Sequence, residues 1–209
     1  MFGTDMLTFQ EFIMQERLPL ATLHHAILHF LRNRDDVVVF GAQAVNAYVG
    51  EPRMTQDIDL LSPRAEELAE ELRAYLSQQF HIAVRVRAVG EGRGYRLYQV
   101  QKTGNRHLVD LRSVETLPMA HRIEQVLIMA PAELIASKVV SYYQRRGKPK
   151  AGTDWRDLAM LLLKFPELKH NSGLVADSLI ASGATSAILA VWQEIVATQI
   201  EPEDDEDEF

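Results

Sequence analysis

The stretch RMTQDIDLL, residues 53–61, places two aspartates one residue apart inside an apolar segment of strand character. Side chains alternate across a β-strand, so Asp57 and Asp59 share one face while Ile58 and Leu60 share the other. Such a strand must sit where its charges are compensated, because a carboxylate taken out of water is costly unless it is hydrogen-bonded, ion-paired or bound to a cation. The immediate neighbours supply only Arg53 as a partner. A divalent metal is the economical remedy. Hard oxygen ligands at this spacing suit Mg²⁺, which keeps several waters and usually shares its sphere with substrate phosphates. A D-x-D pair is short and common, so its context has to decide.

Upstream, DVVVF reads as a short buried strand ending at Gly41, AQAVNAYVG as a short helix closed by Gly50, and EPRMTQ as the loop that leads into DIDLL. A strand that runs through a glycine straight into a helix sets unpaired backbone N–H groups and the positive end of a helix dipole beside the acid-bearing face. A phosphate would sit there. Gly41 lets the backbone approach, Ala42 offers its N–H, and Arg53 and Thr55 stand just before the aspartates as phosphate and hydroxyl contacts. An ordinary strand-to-helix turn reads the same way. Downstream, HLVDLRSV sets Asp110 between Val109 and Leu111 in a second apolar strand. Three carboxylates on adjacent strands can hold two metal ions, whereas an edge strand would leave Asp110 facing water.

Periodicity organises the rest of the chain. Leu20 to Arg34 has the helical spacing of apolar residues, and Pro63 opens an amphipathic helix to about Gln79. HIAVRVRAV, GYRLYQVQK and RHLVDLRSV read as strands joined by hairpin turns at GEGRG and TGN. From Pro131 to about Ile200 the pattern is helical. The expectation is an α+β protein: residues 1–130 form a sheet domain with an N-terminal helix, residues 131–200 a helical domain, and residues 201–209 a disordered acidic tail. That tail, EPEDDEDEF, holds seven acids, so the net charge of -7 belongs to it and the body is neutral, with 22 acids against 22 bases. Such a block cannot bury enough apolar surface to order itself.

Composition excludes several classes of chemistry. Zero cysteines rule out disulfides, thiolate zinc sites and a cysteine nucleophile. No apolar run is long enough to span a bilayer, and Asp5, Glu11 and Glu16 do not fit the charge pattern of a signal peptide, so a cytoplasmic protein without a membrane partner is expected.

The order of strand, Gly-Ala, helix, Asp57-Ile-Asp59 and a later Asp110 resembles the DNA polymerase β-like nucleotidyltransferase superfamily, and so implies its mixed sheet flanked by helices. More narrowly, GAQAVNAYVGEPRMTQDIDLL followed by AELIASK and TDWRDL is similar to the AbiEii-type abortive-infection toxin nucleotidyltransferases of bacterial type IV toxin–antitoxin systems, over roughly residues 36–165. The resemblance implies an Mg²⁺-dependent enzyme that moves NMP from an NTP to an acceptor hydroxyl on RNA or tRNA, a protein or a small molecule, with an antitoxin as partner. It assigns metal and NTP binding to the turn at Gly41 and to Asp57 and Asp59; Asp110 is expected as a third metal ligand that helps orient or deprotonate the hydroxyl, and Ala42, Arg53 and Thr55 as nucleotide contacts. By position, Lys138 and one of Asp154 or Asp157 complete the site from the helical half. Where the family has Gly or Ser after the first glycine this chain has Ala42, which keeps the N–H and loses a hydroxyl. A non-catalytic module of the same fold, binding a nucleotide or a protein, is the alternative.

Taken on its own helix, Lys138 falls between Leu134 and Tyr142 on the apolar face, placed either to reach a triphosphate across the domain cleft or to snorkel out along its stem. Asp154 and Asp157 fall in the first turn of a helix, where the dipole favours acids whatever they do. His25 and His29 have zinc-ligand spacing without the glutamate of H-E-x-x-H, and GEGRG is a turn, not a nucleotide loop. Arg85, Arg87, Arg93, Arg96, Lys102 and Arg106 on the hairpins, with QRRGKPK at 144–150, form either a surface for a nucleic-acid acceptor or solvated charge.

Overall fold

The computed structural model describes residues 18–102 and 104–202. Most of the acidic tail, residues 203–209, therefore lies outside the described residues. Within them the chain runs α1 (Leu20–Phe30), β1 (Val38–Phe40), α2 (Gly41–Tyr48), β2 (Ile58–Ser62), α3 (Ala65–Phe80), β3 (Val84–Val89), β4 (Gly94–Gln99), β5 (Arg106–Ser113), β6 (Ala120–Ile123) and β7 (Val126–Met129). It continues through α4 (Pro131–Gln144), α5 (Lys150–Lys164), a 3₁₀ turn (Pro166–Leu168), α6 (Leu174–Ala181) and α7 (Ser186–Ala197).

The strands form one sheet in the order β3-β4-β5-β2-β1-β7-β6. It is mixed: β2 pairs parallel with β5, and β1 parallel with β7, while the remaining neighbours are antiparallel. The two central strands are short and fully apolar on at least one side, which is why the three residues of β1 are all buried. In α3, Leu68, Leu72 and Leu76 recur at helical spacing and pack on the sheet, and Glu66 and Glu67 occupy the first turn where the dipole favours them. Pro131 opens α4, its fixed φ suiting the first helical position. From there four helices follow, interrupted by glycine and proline, with α4 packed against α5, α6 and α7 and also against α2. Among the described residues no helix is long and apolar enough to cross a membrane.

Two elements are absent from the sequence reading. The hairpin of β6 and β7 turns at Glu124 and Gln125, both at positive φ (46° and 71°), without the Asn-Gly or Asp-Gly signature that usually marks such a turn. Its strand β7 pairs with β1 at the middle of the sheet, a long-range contact that local pattern does not report. The first helix also stops at Phe30, short of Arg34, because Asn33 takes up a left-handed conformation and its N–H bonds to Gln125 instead.

Candidate active site

Pairing places Asp59 opposite Phe40 on β1 and opposite Asp110 on β5, so Asp59 and Asp110 share one face of the sheet. Asp57 lies immediately before β2, two residues from Asp59 and on the same side by alternation. Gly41, the first residue of α2, has φ +70°, and a Cβ added there would lie 2.0 Å from the Asp59 carboxylate oxygen. Only glycine fits both the conformation and that contact. The Asp59 carboxylate thus sits against the backbone where α2 begins, among N–H groups that have no acceptor within the helix.

The three acids are not in equivalent surroundings. Asp57 Oδ2 is 2.9 Å from His107 Nδ1, and His107 Nε2 is 3.0 Å from the Val109 carbonyl. Both ring nitrogens face acceptors, an arrangement satisfied by the doubly protonated imidazolium. The hydrogen bond that His107 donates to Asp57 holds the His107 pKa above its usual value, and the same bond holds that of Asp57 below the usual carboxylate range. Asp110 Oδ2 is 3.4 Å from Arg96 Nη2. Asp59 has no hydrogen-bond or ion-pair partner among the described residues. Burial, with the Asp57 charge next in weight, pushes its carboxyl up to about 6 against the relief given by Arg112 and Lys138.

His107 is a site residue that alternation misses. Counting along β5 sets it on the face opposite Asp110, but the register shifts between Leu97 and Tyr98 of β4, so that Leu97 faces Val109 and Tyr98 faces His107. The irregularity turns the imidazole onto the acid-bearing face, where it stacks on Tyr98 at 5.0 Å. The only sequence signal is its place three residues before Asp110.

The other expected residues meet one layer away. Asp157 is fully buried and accepts a bidentate pair from Arg53, Nε to Oδ1 at 2.7 Å and Nη2 to Oδ2 at 2.9 Å. Lys138 Nζ donates to Asp157 Oδ2 at 2.6 Å and lies 3.9 Å from Asp154 Oδ1. Asp154, 2% exposed, is held in turn by Arg145 at 2.9 and 3.0 Å. Three expectations change. Arg53 does not compensate Asp57 or Asp59; it reaches α5, where a planar guanidinium matches a carboxylate better than a strand-side contact allows. Lys138 neither snorkels nor stands free, since it is 7% exposed and ion-paired. Asp154 and Asp157 lie beyond the first turn of α5, which begins at Lys150, so ion pairing and not the dipole explains them. Burial tends to raise the Asp157 pKa, but the bonds from Arg53 and Lys138 outweigh it and leave the group below its usual value.

The loop carrying the acids is anchored by Asn46, whose amide donates to the Arg53 carbonyl at 2.8 Å while its oxygen accepts from the Arg53 N–H at 3.0 Å. Thr55 Oγ1 lies 3.3 Å from the Gln43 side-chain oxygen, and Ala42 sits in the first turn of α2. Asn46 is the second residue missed by sequence reasoning, for its role depends on the loop folding back onto α2. His25 and His29 are exposed on α1, and GEGRG forms the turn between β3 and β4.

Among the described residues no three metal-ligating side chains are gathered closely enough to hold an ion as they stand. The donor chemistry nevertheless fits a hard cation. Asp57, Asp59 and Asp110 bring hard oxygen donors to one face of the sheet, and Asp59 has no cationic partner among the described residues.

A mixed sheet whose inner strand carries Asp59, just after Asp57 and beside a Gly-to-helix turn, with a third aspartate on the parallel neighbour, has a nucleotidyltransferase fold. The chain belongs to the family described as nucleotidyl transferase AbiEii toxin, type IV toxin–antitoxin system, whose model matches residues 28–203. No curated protein sequence is a significant match. Among solved structures, the Megavirus polyadenylate synthase is similar with TM-score 0.57 and 15% identity over 70% of this chain. The chain spans only 32% of that enzyme. Helicobacter pylori JHP933 is similar with TM-score 0.51 and 14% identity over 85% of this chain and 87% of its own. A further H. pylori structure, described as a nucleotidyltransferase, has TM-score 0.53 and 14% identity over 85% and 90%. At these identities the likeness concerns the fold.

Proposed function

We propose that the protein is an Mg²⁺-dependent nucleotidyltransferase that moves NMP from an NTP to an acceptor hydroxyl and releases pyrophosphate. The observation that carries this reading is the contact of the unpartnered Asp59 carboxylate with Gly41, which sets the acid pair and the start of α2 side by side. Asp57 and Asp59, with Asp110, would hold the metal. The chemistry an ion supplies there is neutralisation of the triphosphate and polarisation of the phosphoryl group.

The chain's own residues have separable tasks. The first-turn N–H groups of Gly41 and Ala42 would donate to the phosphate oxygens, and Thr55 lies at the rim of that cradle. Asp110 orients the acceptor hydroxyl and takes its proton as the new O–P bond forms and the bond between the α-phosphorus and the bridging oxygen breaks, the electron pair leaving with pyrophosphate. Lys138, fixed by Asp157 and Asp154, supplies positive charge from α4, and Arg53, fixed by the same Asp157, holds the loop that ends in Asp57. In this reading residues 131–200 act as a helical domain closing on the sheet domain. The role is that of a toxin-like component of the bacterial cytoplasm with a cognate antitoxin.

The buried ion pairs of Lys138 and the loss of a hydroxyl at Ala42 favour one other reading, a non-catalytic module that binds a nucleotide. A single assay separates the two. Labelled NTPs are incubated with total cellular RNA and protein, with and without Mg²⁺, using wild type and Asp59→Asn. Metal-dependent transfer lost in the variant is the expected result. Nucleotide binding without any turnover, or undiminished transfer by Asp59→Asn, overturns the catalytic reading.

A further inference from the structure

We propose that the face of β3 and β4 that carries Arg85, Arg87 and Arg96, exposed among the described residues, is the track along which a single-stranded RNA acceptor approaches the acid cluster; the inference rests on the nucleotidyltransferase reading and names its acceptor. Strand pairing sets Arg85 opposite Tyr98 and Arg87 opposite Arg96, and Arg96 in turn opposite Asp110. With Asp110 opposite Asp59, Arg87, Arg96, Asp110 and Asp59 form one row across four strands on a single face of the sheet, and Arg85 and Tyr98 lie in the row beside it. The row spans about 14 Å, three strand spacings of about 4.8 Å. The other face of the same strands carries Val84, Val86 and Leu97, which join the core beneath α3. Arg85, Arg87 and Arg96 are all exposed, and neither Arg85 nor Arg87 has an acidic partner among the described residues.

This face differs from ordinary solvated charge in two ways. The arginines are aligned with the proposed reaction centre, so a polyanion bound to them is led toward Asp59 and Asp110. The half-buried Tyr98, stacked on His107, adds an aromatic surface between the arginines and the acids. Cationic side chains for phosphates beside an aromatic ring on an open sheet are what a single strand of RNA binds, its bases stacking and its backbone pairing. A duplex would have to bring a rigid groove over the same flat surface. The remaining bases named above do not belong to the row: Arg106 is turned to the Leu18 carbonyl, and Arg93 to the Gly90 carbonyl in the turn.

The test uses the full chain and a fluorescent single-stranded RNA oligonucleotide of mixed sequence, with anisotropy read at increasing salt and without NTP or divalent metal. The variant is Arg85→Glu combined with Arg87→Glu, neither of which touches an acid of the site. Expected are an affinity roughly tenfold or more weaker at low salt and a salt slope reduced by about two. The melting temperature and NTP binding should be unchanged, and in transfer assays the KM for RNA should rise with kcat kept. Equal RNA affinity of variant and wild type overturns the track while leaving the catalytic reading intact. A DNA strand of the same sequence bound as tightly overturns the choice of RNA. If Asp59→Asn still transfers, it is the catalytic reading that fails.

Discussion

Asp59 and Asp157 are both carboxylates set among apolar neighbours, and the protein treats them in opposite ways. Asp157 is fully buried on α5 and receives three short bonds from Arg53 and Lys138. Asp59 is half-buried against the start of α2, with Asp57 beside it and no partner of its own among the described residues. One region is internally neutralised, the other keeps unbalanced negative charge. A compensated network holds its members in place, whereas a buried carboxylate without a partner costs stability until a proton or a cation relieves it.

The comparison breaks if the two acids respond alike to mutation. The largest effect is expected for Asp59→Asn, a loss of at least about 100-fold in nucleotide transfer, the scale of removing one preorganised electrostatic contact. Its metal-free melting temperature should equal or exceed that of wild type, because one charge of a repelling pair is gone. Labelled-NTP transfer and calorimetry on the same sample check both halves, and a destabilised variant would show Asp59 to be structural. Asp157→Ala should do the reverse. Removing the acid leaves Lys138 buried without its nearest counter-charge and costs about 3–5 kcal/mol, read from denaturant unfolding. Lys138→Ala exposes the same dependence from the other side. The sequence reading of Lys138 as a charge on an apolar face predicts no loss of stability, whereas its bond to Asp157 predicts a clear one.

Two smaller effects sharpen the contrast. Gly41→Ala strains a residue at φ +70° and drives a methyl into Asp59, so it should cost about 1–3 kcal/mol and lower transfer by moving that carboxylate. Unchanged kinetics would mean that Asp59 need not touch the helix start. The pH dependences should have opposite signs. Asp157, lowered from 3.8, contributes stability that is present above its unfolded pKa and lost as pH falls through the folded value. Asp59, raised from 3.8 to about 6, binds its proton more tightly in the folded state, so its contribution falls as pH rises between those values. Melting of wild type against Asp59→Asn in chelator, across that range, should show wild type losing ground with rising pH. Parallel curves would remove the unbalanced charge from Asp59.

What could be read beforehand follows the range of the forces involved. Two-residue alternation fixes which side of β2 carries Asp57 and Asp59, and a glycine between an apolar strand and a helix fixes the turn beside them, because both depend on backbone geometry within a few residues. Lys138 on the apolar side of α4 was legible for the same reason. The partners of these charges were not. Arg53 and Asp157 are 104 positions apart in the chain, and Asp57 meets His107 across β2 and β5.

The sequence by itself therefore determined most of the local elements, the family to which the chain belongs and the shared face of Asp57 and Asp59. Only the tertiary structure decided which acids are neutralised. Ion pairing requires atoms within a few ångströms, and that distance is set by strand order, by the shift in register that turns His107 onto the acid face, and by the packing of α5 against α4. The place of β7 between β1 and the edge strand β6 was decided in the same way, since nothing local in Val126–Met129 specifies β1 as its neighbour; burial of that apolar strand becomes favourable only once the rest of the sheet exists to receive it.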